Sequence, residues 1–259
     1  MKRYILFTAA LFISIISYSQ PKYSINIFGG YSVPMSSLKG NFPNTLTDNS
    51  IDFQNASSYL TKSGYNFGAG GKITMDSTGN VRLIFGMTFN QFSQKQDYTT
   101  SANTIKTIAN KLGIFTISAG LEYNFKPKAK FNPYAGIELG ANFFSGSIVY
   151  SGDTILTLDR KAETRFGIIL NAGAEYKTGG PFSFMGGIKY AMSNLMGKSS
   201  GTITSGTSTG TTDTQSTGVI LNGEIPLNDN DAKTQLTRSI ISLQLYLGIS
   251  YNFGSIHNN

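Results

Sequence analysis

Hydrophobic side chains occupy every second position in eight segments of the chain, each about ten to fourteen residues long. Residues 238–253 show the pattern best, with one apolar row made of Ile241, Leu243, Leu245, Leu247, Ile249, Tyr251 and Phe253. Because successive side chains of a β-strand point to opposite faces, each segment predicts a strand with one apolar face. Strands of this length and pattern are typical of those that cross a bilayer at a tilt.

The order and spacing of these segments predict an all-β fold, an eight-stranded antiparallel up-and-down transmembrane β-barrel. The predicted strands are residues 23–33, 64–75, 81–92, 114–125, 133–144, 164–177, 182–193 and 238–253. Short connections at 76–80, 126–132 and 178–181 alternate with long ones at 34–63, 93–113, 145–163 and 194–237. In such barrels the short turns face the periplasm and the long loops face outward, so we expect both mature termini in the periplasm.

Charged residues avoid the apolar rows. Within the predicted membrane span they all lie on the opposite parity, as Lys72, Arg82, Glu122, Glu138, Arg165, Glu175 and Lys189. Pointing into the lumen spares them the roughly 2–4 kcal/mol that a basic residue costs at the bilayer midplane. Most glycines of the strands share this inward parity, and we expect them to make room for the long charged side chains.

Five of the inward charges lie in the periplasmic halves of their strands and form the candidate site, namely Lys72, Arg82, Glu122, Glu138 and Glu175. We expect the two basic residues to pair with the three carboxylates, because buried charges are usually paired. Together with lumen-facing Tyr134 and Asn171, these side chains are predicted to block the barrel. One interpretation is a satisfied polar core that closes the lumen, and the other is a selectivity or gating cluster in a narrow ion path.

The N-terminus predicts export. Lys2 and Arg3 precede an apolar stretch over residues 4–16, and Ser17 and Ser19 supply the small residues of a cleavage site. We therefore assign residues 1–19 to a signal peptide and 20–259 to a single barrel domain. Charged residues make up only 14% of the chain and cysteine is absent, which fits a membrane barrel and provides neither a lipid-attachment cysteine nor disulfides. The net charge of +7 is not gathered into basic runs with exposed aromatics, so we expect mild attraction to anionic headgroups and no nucleic-acid binding.

Candidate catalytic and metal-binding residues are scarce. The one histidine, His257, lies in the tail beyond the last predicted strand, where no serine has a base in reach. Asp48 with Asp52, and Asp229 with Asp231, lie in loops and lack the Gly and Glu of an ordered calcium loop. We therefore expect no enzymatic activity, no cofactor and no bound metal.

Two stretches carry a resemblance to a known family. Residues 133–140, Pro-Tyr-Ala-Gly-Ile-Glu-Leu-Gly, and 247–253, Leu-Gly-Ile-Ser-Tyr-Asn-Phe, resemble the small outer-membrane β-barrel proteins related to OmpX and to the transmembrane domain of OmpA. The family that they resemble is the outer membrane protein β-barrel domain type, which is common in Bacteroidetes-like bacteria. The resemblance implies that the barrel-assembly machinery reads the aromatic end of the last strand, at Tyr251 and Phe253. A short tail, residues 254–259, departs from the usual ending.

The function remains open at this level. The first possibility is a structural or surface-interaction barrel with a closed lumen, contacting outer-membrane lipid and lipopolysaccharide. The second is porin-like passage of small solutes, and the third is a PorT-like component of an envelope secretion machine. Residues 199–212 form a Ser/Thr/Gly tract that cannot bury a core, so it is either a hydrophilic surface fringe or an adaptable binding segment.

Overall fold

The computed structural model describes residues 21–42, 58–99, 105–151, 155–159, 162–196 and 238–254. The strands are β1 (Tyr23–Met35), β2 (Gly64–Thr74), β3 (Val81–Thr99), β4 (Ile105–Asn124), β5 (Phe131–Ser151), β6 (Ile155–Asp159), β7 (Glu163–Lys177), β8 (Phe182–Met196) and β9 (Ile241–Phe253). The predicted signal peptide, the Ser/Thr/Gly tract, His257 and the four loop aspartates lie outside the described residues. Within the described ranges, no helix has the length and apolarity needed to cross a membrane.

Eight of the strands form a closed antiparallel barrel, which confirms the predicted fold. Strands that follow one another in the chain pair with each other, except that β7 pairs with β5 and not with the short β6 between them. The barrel closes where β1 pairs with β9, from Tyr23 opposite Phe253 to Met35 opposite Ile241. The short strand β6 pairs with the end of β5 and lies outside the closed circle.

The strands match the predicted bounds within two residues at the short-turn end. At the loop end β2 begins as predicted, β9 begins at Ile241 where residue 238 was predicted, and the other six barrel strands extend beyond the prediction. Residues 93–113 were predicted as a loop, but β3 and β4 extend through most of this range as a long hairpin. Residues 145–163 were also predicted as a loop, but β5 runs on to Ser151 and pairs with β6. Both predictions were wrong because they relied on an apolar outward row. Strand segments beyond a bilayer meet water on that face and carry mainly polar residues there.

The predicted faces are confirmed by exposure. The apolar rows lie on the outside, where Ile27, Phe67, Leu139 and Leu247 are all more than half exposed. The opposite rows point inward, and the charged residues singled out from the sequence are buried there except Lys189, whose side chain is 13% exposed. In a protein surrounded by lipid, this arrangement puts hydrocarbon against hydrocarbon and keeps charge inside.

The turn between β2 and β3 is held by Asp76. Its carboxylate accepts hydrogen bonds from the hydroxyl of Thr78, from the amide of Asn80 at 3.1 Å and from the amide of Val81 at 2.8 Å. Gly79 supplies the positive φ of 79° that the turn requires. Partial burial acts to raise the pKa of Asp76, but these hydrogen bonds outweigh it and hold the pKa below its usual value.

Candidate functional site in the barrel interior

Four of the five predicted site residues meet in one buried network at the short-turn end. Lys72 Nζ lies 2.9 Å from both carboxylate oxygens of Glu122. Arg82 Nη1 lies 3.6 Å from Glu122 and 3.0 Å from Glu175, so it links the two carboxylates. These four side chains, which we call the lower charge network, are at most 7% exposed and sum to zero formal charge.

Glu138, the fifth predicted residue, lies apart from this network. Its ion pair is with Lys189 at 3.2 Å, a residue that the sequence placed inward but not in the cluster. Ser118 and Asn171 also donate to the Glu138 carboxylate, at 2.6 and 2.8 Å. The strand register explains the difference, because Glu138 lies opposite Gly120 on β4 and is therefore one inward position farther from the short turns than Glu122.

Two tyrosines join across the lumen between the two charge groups. The hydroxyls of Tyr134 and Tyr246 are 2.6 Å apart, and both side chains are buried. The ammonium of Lys72 lies 4.4 Å from the centre of the Tyr134 ring, and that of Lys189 lies 5.0 Å from the Phe28 ring. These cation–π contacts add to the ion pairs, so each lysine is held both by a carboxylate and by an aromatic face.

The inward glycines make room for these aromatic rings. A Cβ atom at Gly173 would lie 2.7 Å from the Tyr134 hydroxyl, and one at Gly187 would lie 2.8 Å from that of Tyr246. We expected the glycines to accommodate long charged side chains, and at these positions that expectation was wrong. Each glycine lies opposite its tyrosine on the neighbouring strand, so the missing side chain leaves room for the ring to extend over that strand.

A small cavity separates the two charge groups. It offers about 40 Å³ to the centres of water molecules and is lined by Asn26, Phe28, Lys72, Glu122, Tyr134, Glu138, Asn171, Lys189 and Tyr246, among others. Because one water needs roughly 10–15 Å³ of such space, the cavity has room for about three. Its polar lining would provide those waters with hydrogen-bond partners.

Above the cavity the inward residues are mostly uncharged amides and hydroxyls, with buried Arg165 opposite Asn142 and paired with Glu163 at 2.6 Å. Ser32 donates to Asn90 at 2.9 Å and accepts from Asn66 at 3.0 Å. Thr116 donates to Asn142 at 2.7 Å. All five side chains are buried, so this part of the lumen is filled by hydrogen-bonded protein groups.

The loop end of the lumen contains an apolar cluster, which we call the cap: Leu38, Tyr59, Phe92, Leu112, Ile114, Phe144 and Ile240. All seven are at most 2% exposed. Leu38 and Tyr59 come from the two described ends of the connection between β1 and β2, residues 36–42 and 58–63, and pack into this cluster. Asn110 fixes this connection by donating to the carbonyls of Tyr59 and Leu60 at 2.7 and 2.8 Å.

The cap was not predicted from the sequence. Its signal was present in β4, where Leu112 and Ile114 are apolar at inward positions, whereas Phe115 and Ile117 nearer the short turns are apolar at outward ones. The apolar face therefore changes sides where the strand leaves the predicted membrane span. Such a change indicates a core above the bilayer.

The predicted assembly residues lie at the short-turn end of β9, on the outside. Phe253 stacks on Tyr23 of β1 with ring centres 5.6 Å apart, and Tyr251 lies 5.3 Å from Phe182 of β8. These contacts cross both edges of the last strand. Recognition of Tyr251 and Phe253 by the assembly machinery stays a prediction.

The described interior offers little chemistry beyond ion pairing and hydrogen bonding. In the described ranges, no three residues among His, Cys, Asp and Glu gather where they could hold a metal ion. The carboxylates of Glu122, Glu138 and Glu175 are all engaged in ion pairs. The arrangement is suited to filling and closing the lumen.

A match to a family model agrees with this architecture. The family model for the outer membrane protein beta-barrel domain matches residues 8–222, so the chain belongs to that family. Among solved structures, it is similar to Neisserial surface protein A, with 12% identity, a TM-score of 0.48 and coverage of 90% of this chain and 97% of the other. It is also similar to Ail, the attachment invasion locus protein of Yersinia pestis, with 12% identity, a TM-score of 0.39 and coverage of 90% and 99%. No curated protein matches the chain.

Proposed function

We propose that this protein is an integral outer-membrane barrel with a closed lumen and a structural or surface-interaction role. The observation that carries the proposal is that side chains cross the lumen at two separate heights. The Tyr134–Tyr246 bridge lies beside the lower charge network, and the cap fills the loop end. A solute would have to displace both.

The two barriers differ in chemistry, which strengthens the proposal. An ion that could exchange ligands with the lower charge network would still meet the cap, where Phe92 and Phe144 offer no polar partner. A hydrophobic solute that could enter the cap would meet buried charges farther down. Transfer of an ion into apolar surroundings without partners is costly, so the series arrangement opposes steady conduction.

Orientation and partners follow from the same proposal. The long connections face outward, and both mature termini face the periplasm. The outer surface contacts membrane lipid and lipopolysaccharide, and the barrel-assembly machinery inserts the chain. The role requires no enzymatic activity, because the proposed work is done by the wall and the surface loops.

Bilayer conductance tests closure directly. Purified wild-type protein should give no steady current, and neither should Tyr134→Ala with Tyr246→Ala, nor Phe92→Ala with Phe144→Ala, because one barrier remains in each pair. The four changes together should produce measurable openings, provided that gel mobility before and after heating shows a folded barrel. Robust wild-type currents would refute the closed-lumen proposal.

Passage of small solutes is the second candidate, and the polar cavity beside Asn171 favours it. It requires the cap to move aside, which would give brief openings of wild-type protein that a cap-locking crosslink abolishes. A pair of cysteines at Leu38 and Phe92 is suitable, because the native chain has no cysteine. Under the closed-lumen proposal, the oxidised and reduced forms should be equally silent.

Protease added to intact cells tests the orientation. The predicted loop 194–237, which from residue 197 onward lies between β8 and β9, should be cut first because polar Ser/Thr/Gly-rich chain is the usual site of nicking. Cleavage confined to residues 76–80 or 126–132 would show the opposite orientation.

A further inference from the structure

The turn between β4 and β5 carries Lys126, Lys128 and Lys130, and all three are exposed. Its backbone is held at several points, since the Ala129 amide donates to the Lys126 carbonyl at 3.0 Å and the Lys177 amide donates to the Lys130 carbonyl at 2.8 Å. The turn therefore presents three ammonium groups from a fixed frame while leaving their side chains in solvent.

Aromatic residues place this turn at a membrane surface. Phe125 and Phe131 directly flank it, point outward and are 57% and 58% exposed. The ammonium of Lys130 lies 5.4 Å from the centre of the Tyr176 ring, which is also outward and exposed. Aromatic belts lie at headgroup level, and lysines next to them extend their charge toward the polar layer.

The positive charge of this turn is not neutralised locally. The other charged side chains described in and next to the short turns are Lys22, Lys177 and Asp76. The carboxylate of Asp76 is occupied by its own turn, and Lys177 donates to the Pro127 carbonyl within the basic turn. Glu122 and Glu175 lie inside the lumen, already paired with Lys72 and Arg82.

We propose that Lys126, Lys128 and Lys130 form a docking surface for the headgroup phosphate of anionic phospholipids in the leaflet that faces the short turns. The inference rests on the proposed membrane location, and the orientation decides only which leaflet is meant. Each basic residue near an anionic membrane surface raises the association constant with that surface by about fivefold. A rigid turn lowers the ordering cost of binding such a lipid.

Electron spin resonance of labelled lipids in reconstituted bilayers tests this surface. Wild-type barrel in phosphatidylcholine should associate with spin-labelled phosphatidylglycerol about fivefold or more in preference to spin-labelled phosphatidylcholine. The triple variant Lys126→Gln, Lys128→Gln, Lys130→Gln should lose most of this preference. High salt should weaken the wild-type preference by screening.

The matched control removes three exposed lysines from the loop end, Lys39→Gln, Lys95→Gln and Lys111→Gln. Lys95 lies six residues beyond the outward aromatic Phe89 on β3, about 20 Å along the strand, so it is well beyond the headgroups. The control should keep the wild-type preference. No preference in the wild type, an equal loss in the control, or retention in the turn variant would overturn the proposal.

Two further arms separate the sources of failure. Inorganic phosphate at constant ionic strength should leave the lipid preference unchanged, and abolition would indicate a site for free phosphate instead. Heat-dependent gel mobility of every variant reports whether the barrel is folded, and conductance reports whether its lumen is closed. A folded, non-conducting barrel without lipid preference refutes this inference alone, whereas a conducting barrel with the preference refutes only the closed lumen.

Discussion

Replacing Glu122 with Gln should show how much the lower charge network contributes to the free energy of unfolding. The substitution keeps size and shape but removes the carboxylate that both Lys72 and Arg82 approach. The four-residue network then carries one uncompensated positive charge. Breaking a buried pair by removing one partner costs about 3–5 kcal/mol. Because the Tyr134 ring and Glu175 still face the two cations, we expect the lower part of that range, about 3 kcal/mol.

The double variant Lys72→Met, Glu122→Gln provides the internal check. It restores neutrality and leaves the Arg82–Glu175 pair intact, so its free energy of unfolding should lie closer to wild type than that of Glu122→Gln alone. Urea unfolding in lipid vesicles, followed by far-ultraviolet circular dichroism, measures all four corners of the cycle. Strictly additive losses would refute the reasoning, since they would mean that Lys72 and Glu122 are not coupled.

Three other expectations address the wall, the glycines and a turn. Leu245→Arg should cost about 2–4 kcal/mol or block assembly because Leu245 faces lipid, whereas buried Gln244→Arg should be milder; equal tolerance in refolding yields would contradict the assigned faces. Gly173→Val should lower the unfolding midpoint by displacing Tyr134, and Tyr134→Ala should partly rescue it. The lowered pKa of Asp76 stabilises the fold above about pH 4, a contribution lost as pH falls through that pKa; Asp76→Asn should flatten this acid dependence in pH-resolved melts.

The wall of the barrel could be predicted from sequence because one physical rule governs it. Every outward position between the two interfaces meets hydrocarbon. The apolar side chains of Ile25, Phe67 and Leu247 therefore each indicate an outward position without information from neighbouring strands. The short-turn bounds followed from the same rule together with turn residues such as Gly79. Nothing beyond local alternation was needed.

The interior partners could not be predicted in the same way. Assigning Glu138 to Lys189 requires the relative register of β5, β7 and β8, and alternation on each strand leaves that register free. The cap is harder still, because Leu38 and Tyr59 lie in a connection with no periodic pattern. Their burial depends on the extended β3–β4 hairpin, whose outward residues are mainly polar. The alternation of apolar outward residues that predicted the membrane-spanning strands therefore did not extend to this hairpin.

The change of the apolar face in β4 indicates how deep the barrel lies in the membrane. From Phe115 to Phe125 the chain advances about 33 Å at about 3.3 Å per residue, and a tilt of about 40° leaves about 25 Å across the bilayer. That is the height of the apolar band expected of an outer-membrane barrel. Beyond Phe115, leucine and isoleucine pack into a protein core instead of facing lipid. The depth of the barrel in the membrane is therefore set by the point at which the apolar residues change from the outward to the inward face of the strand.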